Sequence, residues 1–99
     1  MAHIKANLLF YPGEKKDGTP VFFTSGYRPA FKFKDNDEFN SGEIKFIGKD
    51  RIESGETVEG DITLLHPELV KEYLKVGNTF SFQEGTILAG KGEILKVYQ

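Results

Sequence analysis

The sequence predicts an all-β fold of about six to seven strands, a sandwich or small barrel, with one short helical turn near residues 67–75. Three observations carry this. Short β-rich segments recur along the chain and are punctuated by eleven glycines. The aromatic share is 13%, supplied by nine Phe and four Tyr, with no Trp. The length, 99 residues, holds one core and one domain, spanning 1–99. A small barrel fills its interior with few side chains, and each buried Phe contributes about 2–3 kcal/mol.

Ile4–Phe10 is apolar and ends at the turn signal Tyr11-Pro12-Gly13. The polar run Gly13 to Gly18 then reads as a hairpin loop, with Asp17-Gly18 suited to positive φ. Val21–Thr24 is a second strand. Ser25-Gly26 bends the chain, and Pro29 biases Arg28 to an extended conformation. Phe31 and Phe33 alternate with Lys32 and Lys34, which predicts a strand with one wet face. Asp35–Gly42 reads as a loop, Glu43–Ile47 as a short strand and Gly48–Glu56 as another loop. Val58–Leu65 returns to strand character. His66-Pro67-Glu68 opens the one helical candidate, because Pro suits a first turn and Glu68 suits a helix N-terminus. Leu69/Tyr73 and Val70/Leu74 are spaced as i,i+4 pairs, and Gly77-Asn78 stops the turn. Thr79–Glu84 alternates around Phe80 and Phe82. Gly85-Thr86 turns into the last strand, Ile87–Tyr98. Gly90 and Gly92 share one face of that strand and admit close approach of a neighbour.

Composition narrows the function. No cysteine means no disulfide scaffold, thiolate zinc site or cysteine nucleophile, and it fits a reducing compartment. No apolar run approaches the ~18 residues of a membrane span. Met1–Asn7 lacks an apolar core, so no signal peptide is expected and the expected location is the cytoplasm. A closed barrel has no free sheet edge, so a monomer is expected. The net charge of −2 divides unevenly: residues 1–34 carry +4 and residues 35–99 carry −6. The overall balance is wrong for a sequence-independent nucleic-acid binder, although the first third can supply a small basic patch.

No catalytic set is legible. Gly85 to Gly92 has the glycine spacing and lysine of a phosphate-binding loop, but Gly92 stands where Ser or Thr is needed and a strand follows instead of a helix. No nucleotide is therefore expected. His3 and His66 are far apart and lack metal-ligand spacing. Asp35, Asp37 and Glu38 lack the glycine and glutamate of a calcium loop and read as solvated. No nucleophile elbow is present. The expectation is a protein that is not an enzyme and needs no metal or cofactor. Tyr27–Lys34 interleaves aromatics with lysines, which would suit a single-strand stacking platform. The plainer reading is a barrel strand with Phe31 and Phe33 inward.

The stretch Thr19 to Phe33, TPVFFTSGYRPAFKF, resembles the third domain, a C-terminal β-barrel, of translation elongation factor Tu, where the family has TPFF…GYRPQFYF. Gly60–Pro67, GDITLLHP, is similar to the family's GDN…VTLIHP. Glu84-Gly85, Gly90 and Gly92 match its REGGRTVGAGVV. The blocks keep their order and cover the chain from about Ile4 to Val97. The resemblance implies a small six-stranded antiparallel Greek-key barrel that, in the factor, packs on the GTPase domain, touches the T stem of aminoacyl-tRNA and meets the exchange factor. Its GTPase chemistry does not carry over to a single barrel. Several of the family's cations are also replaced. Lys16-Asp17-Gly18-Thr19-Pro20 stands for GGRHTP, Gln83 and Ile87 stand for the two arginines of REGGR, and Ala30 replaces Gln. The segment Glu68–Thr79 is longer and more helical. The likeness implies structural roles for Gly26, Pro29, Phe31, His66, Pro67, Gly85, Gly90 and Gly92.

The expected function is a non-enzymatic binding module that recognises a protein partner, tied to translation or neutralising a factor that binds elongation factor Tu. The second reading is tRNA binding. Candidate contact residues are Tyr27, Arg28, Lys32, Lys34, Lys15, Lys16, Gln83 and Glu84.

Overall fold

The computed structural model describes residues 1–13, 17–19 and 21–98. The hairpin loop expected at Gly13–Gly18 falls partly outside these residues. Eight strands run in the order β1 (Ile4–Phe10), β2 (Phe22–Thr24), β3 (Ala30–Phe33), β4 (Asn40–Phe46), β5 (Arg51–Glu53), β6 (Thr57–Leu64), β7 (Thr79–Glu84) and β8 (Ile87–Val97). Six of them close an antiparallel barrel in the order β1-β6-β4-β3-β7-β8. The meander β3-β4-β6 returns to β1 beside β6, which makes the Greek key.

The interior follows from period-two alternation. Ile4, Ala6, Leu8 and Phe10 of β1 point inward, as do Phe31 and Phe33 of β3, Ile62 and Leu64 of β6, and Phe80 and Phe82 of β7. The aromatic surplus is spent there. Phe10 lies edge-on to Phe82 at 5.0 Å, and Phe80 sits 5.7 Å from Phe31 and 5.4 Å from Phe33. Gly92 and Gly90 of β8 stand opposite Phe80 and Phe82. A Cβ at Gly92 would lie 2.9 Å from Leu8 Cδ2 and one at Gly90 would lie 2.5 Å from Phe82 Cζ. The two glycines leave room for two rings, as cross-strand aromatic cover of glycine requires.

Three expectations change. The Val21–Thr24 segment contributes no barrel strand. It forms β2 and pairs with β5 in a separate two-stranded ribbon. Phe23 of that ribbon stacks 4.6 Å from Phe10, and Ile52 beside it is buried, so the ribbon plugs one end of the barrel. The Gly48–Glu56 segment read as loop therefore contains a strand. The loop read over Asp35–Gly42 is shorter, because β4 begins at Asn40. The short helical turn expected near residues 67–75 is present, as two successive 3-10 turns, Pro67–Leu69 and Lys71–Tyr73. Val70 is buried, Tyr73 and Leu74 pack partly buried against the core, and Leu69 is exposed.

Candidate functional site

An apolar opening lies at the plugged end of the barrel. The chain leaving β1 at Tyr11-Pro12-Gly13 is tied to β8 by Tyr11 N–H donating to the Ala89 carbonyl at 2.9 Å. Ser54 Oγ donates to the Gly13 carbonyl at 2.7 Å and holds the same segment against the ribbon. Across from it stands the β7–β8 hairpin. Its turn uses Gly85 at φ +57 and is stapled by Gln83 Nε2 donating to the Gly85 carbonyl at 2.6 Å. Between these walls is a groove of about 390 Å³, lined by Tyr11, Val21, Phe23, Tyr27, Glu84 and Leu88 among others. Ile87 and Leu88 rise from the hairpin 72% and 49% exposed.

Tyr27 and Glu84, both sequence candidates, meet in this groove. Tyr27 is held by a bridge to Ile44, whose N–H donates to the Tyr27 carbonyl at 2.8 Å. Its ring packs 5.0 Å from Phe23 and 6.0 Å from Phe10. Its hydroxyl is sealed from solvent without a hydrogen-bond partner. Loss of solvent raises the phenol pKa above its ordinary value, and the neighbouring Glu84 carboxylate adds to the rise. Glu84 thus sits beside the hydroxyl. It makes no ion pair among the described residues. Gln83, the third candidate here, is occupied by its turn staple.

Arg28 points elsewhere. Its Nε and Nη2 donate to Glu43 Oε2 at 3.3 and 3.1 Å, and its side chain stays 77% exposed. The pair borders a second groove of about 340 Å³ over Ser41, Gly42, Thr63, Leu64 and Leu65. Gly42 is needed there, since a Cβ would come 2.7 Å from the Thr63 carbonyl oxygen.

Lys32 and Lys34 form a third place, on the outer face of β3. Lys32 is in register with Ser81 of β7, which is in register with Lys91 of β8. Lys32, Lys34, Ser81, Thr79 and Lys91 line one shallow surface, with Asp35 at its border. None of the three lysines forms an ion pair with a described residue. Lys91 read in sequence only as the lysine of an incomplete phosphate-binding loop; it lies far along the chain, and only the register brings it beside Lys32. Lys15 and Lys16 lie outside the described residues. Asp35, Asp37 and Glu38 sit in a loop where Asn36 Oδ1 accepts the Glu38 N–H at 3.2 Å. Among the described residues no cluster of three or more His, Asp or Glu is arranged to hold a metal. No helix is long and apolar enough to cross a membrane.

The residues read as structural are mostly occupied within the fold. Gly26 takes φ +96, and the Pro29 carbonyl accepts the Gly42 N–H at 3.2 Å. Phe31 is fully buried. The His66-Pro67 corner is clamped by Asn40: Nδ2 donates to the His66 carbonyl at 2.7 Å, and Oδ1 accepts the His66 N–H at 3.2 Å. The His66 imidazole itself points outward, 3.8 Å from Glu68. Asn40 is the one buried polar residue among those described, and the sequence placed it in a loop. His3 also has a fold role, since its Nδ1 accepts the Leu64 N–H at 2.9 Å. No protein-family model matches this chain.

Proposed function

We propose that this chain is a non-enzymatic binding module, built like the third domain, the C-terminal β-barrel, of elongation factor Tu, that docks a protein partner at the β7–β8 end of the barrel. The observation that carries this reading is the apolar groove with Ile87 and Leu88 standing exposed on its rim. Neighbouring apolar side chains held in water beside a preformed groove gain free energy when a partner covers them, about 25 cal/mol per Å² buried. The groove walls are rigid strands and a stapled turn, so little order is lost on docking. The cytoplasm is the compartment that fits the cysteine-free composition. The elongation-factor likeness adds a class of partner, one that also recognises that factor or its neighbours. Affinity capture from cell lysate with the wild-type chain and an Ile87→Ser/Leu88→Ser variant tests this. A partner retained by the first and lost by the second is the expected result. Equal capture by both, or no specific capture by either, refutes it.

A second reading, RNA binding with tRNA as the candidate, rests on Lys32, Lys34 and Lys91 lying together without acidic partners among the described residues. Phosphate contacts release counterions, so such binding is strongest at low salt. Filter retention of tRNA at about 50 mM salt, weakened in Lys32→Gln/Lys91→Gln, is the expected outcome. No retention there sinks this reading.

A further inference from the structure

We propose that the groove at the β7–β8 end is a pocket for an arginine side chain presented by the partner protein; this rests on the docking reading above and names what the groove reads. The groove combines two chemistries. Its lining is mostly aromatic and aliphatic, with Tyr11, Val21, Phe23, Tyr27 and Leu88. Glu84 is the one charged side chain lining it among the described residues, and no described cation pairs with it. An occupant that satisfies both needs an apolar stem or face and a positive charge at its tip.

Arginine fits this demand better than lysine. The guanidinium is planar and weakly hydrated, lies well on aromatic faces, and donates in a fork to a carboxylate. A lysine ammonium is compact and strongly hydrated, so entering an aromatic groove costs it more. A hard metal ion would need about six or more oxygen ligands, where the groove supplies one carboxylate. A contact of this kind already occurs on the same ribbon, where the Arg51 guanidinium lies 4.4 Å over the Phe22 ring.

Tyr27 completes the site. Its hydroxyl is buried with no well-aligned acceptor among the described residues, and the Glu84 carboxylate is its neighbour. A small rotation of the exposed Glu84 side chain lets one carboxylate oxygen accept the phenol O–H while the other faces the groove. The arriving guanidinium then meets an oriented carboxylate, and the buried hydroxyl gains the partner it lacks. Ile87 and Leu88 on the rim suit apolar residues flanking that arginine.

The test is an amide-resolved NMR titration at low salt with the capped peptide acetyl-Leu-Arg-Leu-amide. Its citrulline isostere, the same size without the charge, is the comparison. The expected result is saturable shifts at Tyr27, Gly85 and Leu88, with citrulline binding weaker by about tenfold. Glu84→Gln should lose the arginine preference while keeping the wild-type melting temperature. Equal shifts with both peptides, shifts confined to other surfaces, or no shifts overturn the arginine pocket. The docking reading fails separately. If captured partner is lost with Ile87→Ser/Leu88→Ser but kept at full strength with Glu84→Gln, docking stands and the arginine pocket falls.

Discussion

Replacing Gly90 by alanine adds one methyl group at the tightest point of the barrel. That methyl meets the Leu9 carbonyl oxygen and comes 2.5 Å from Phe82 Cζ. Carbon atoms in contact sit about 3.5–4.0 Å apart, so the ring must retreat by about 1 Å or more. It has nowhere to go, because Phe10 lies 5.0 Å and Phe31 6.1 Å from the same ring. The Leu9 carbonyl belongs to β1, which is in register with β8 through Phe10 and Gly90, so it yields only if the ladder bends. Overpacking of this kind costs about 1–3 kcal/mol, and backbone involvement puts Gly90→Ala at the upper end. The lower entropy of an unfolded alanine returns about 0.4–1 kcal/mol. The net expectation is a loss of about 2 kcal/mol, or a fall in Tm of about 8–16 °C for a domain of this size. Urea denaturation with an unchanged m-value measures it. Gly13→Ala is the control, since a Cβ there meets nothing within 4 Å, and it should stay within about 0.5 kcal/mol of wild type. In a Phe82→Leu background the Gly90→Ala penalty should shrink, because the smaller side chain can yield. A Gly90→Ala protein as stable as wild type would refute the account of ring against glycine.

Tyr27→Phe keeps the ring packing and deletes a buried hydroxyl without a partner, so it should leave stability unchanged or raise it by about 1 kcal/mol; a loss above 1 kcal/mol in a denaturant melt would show that the hydroxyl is already bonded. The raised phenol pKa of Tyr27 has a further consequence. The folded state holds the proton while the unfolded chain releases it near pH 10, so this stabilisation is present below about pH 10 and is lost as pH rises further. Tyr98, raised chiefly by donating to Asp61, acts in the same direction, and a Tm measured from pH 8 to 11 should fall less steeply in Tyr27→Phe than in wild type. Asn40→Ala strips both side-chain hydrogen bonds that the buried Asn40 makes to the His66 backbone and should cost about 2 kcal/mol in urea denaturation. Arg28→Ala breaks only an exposed pair with Glu43, so its effect on stability should stay below about 1 kcal/mol in the same assay.

Particular residues show how far the sequence could be read. Phe31, Phe33, Phe80 and Phe82 announced their inward faces by strict alternation, and they are buried as the pattern requires. Gly90 and Gly92 announced a close approach, although not what approached. Asn40 gave no signal, because a buried asparagine and a loop asparagine look alike until the His66 carbonyl is placed against it. Phe23 read as one more strand residue, yet it belongs to the ribbon that plugs the barrel. The candidate contact residues split for the same reason. Tyr27 and Arg28 are adjacent in sequence, but one faces the apolar groove and the other pairs with Glu43 on the outer surface.

The sequence by itself determined the class of fold, one all-β barrel, because strand periodicity, turn glycines and aromatic filling are local and act within a few residues. Tertiary structure decided where chemistry converges. Glu84 stands beside Tyr27, and Lys91 stands across Ser81 from Lys32, only because the barrel closes in one register. Register is set by which side chains bury together, a property of the whole sheet that no short stretch of sequence contains.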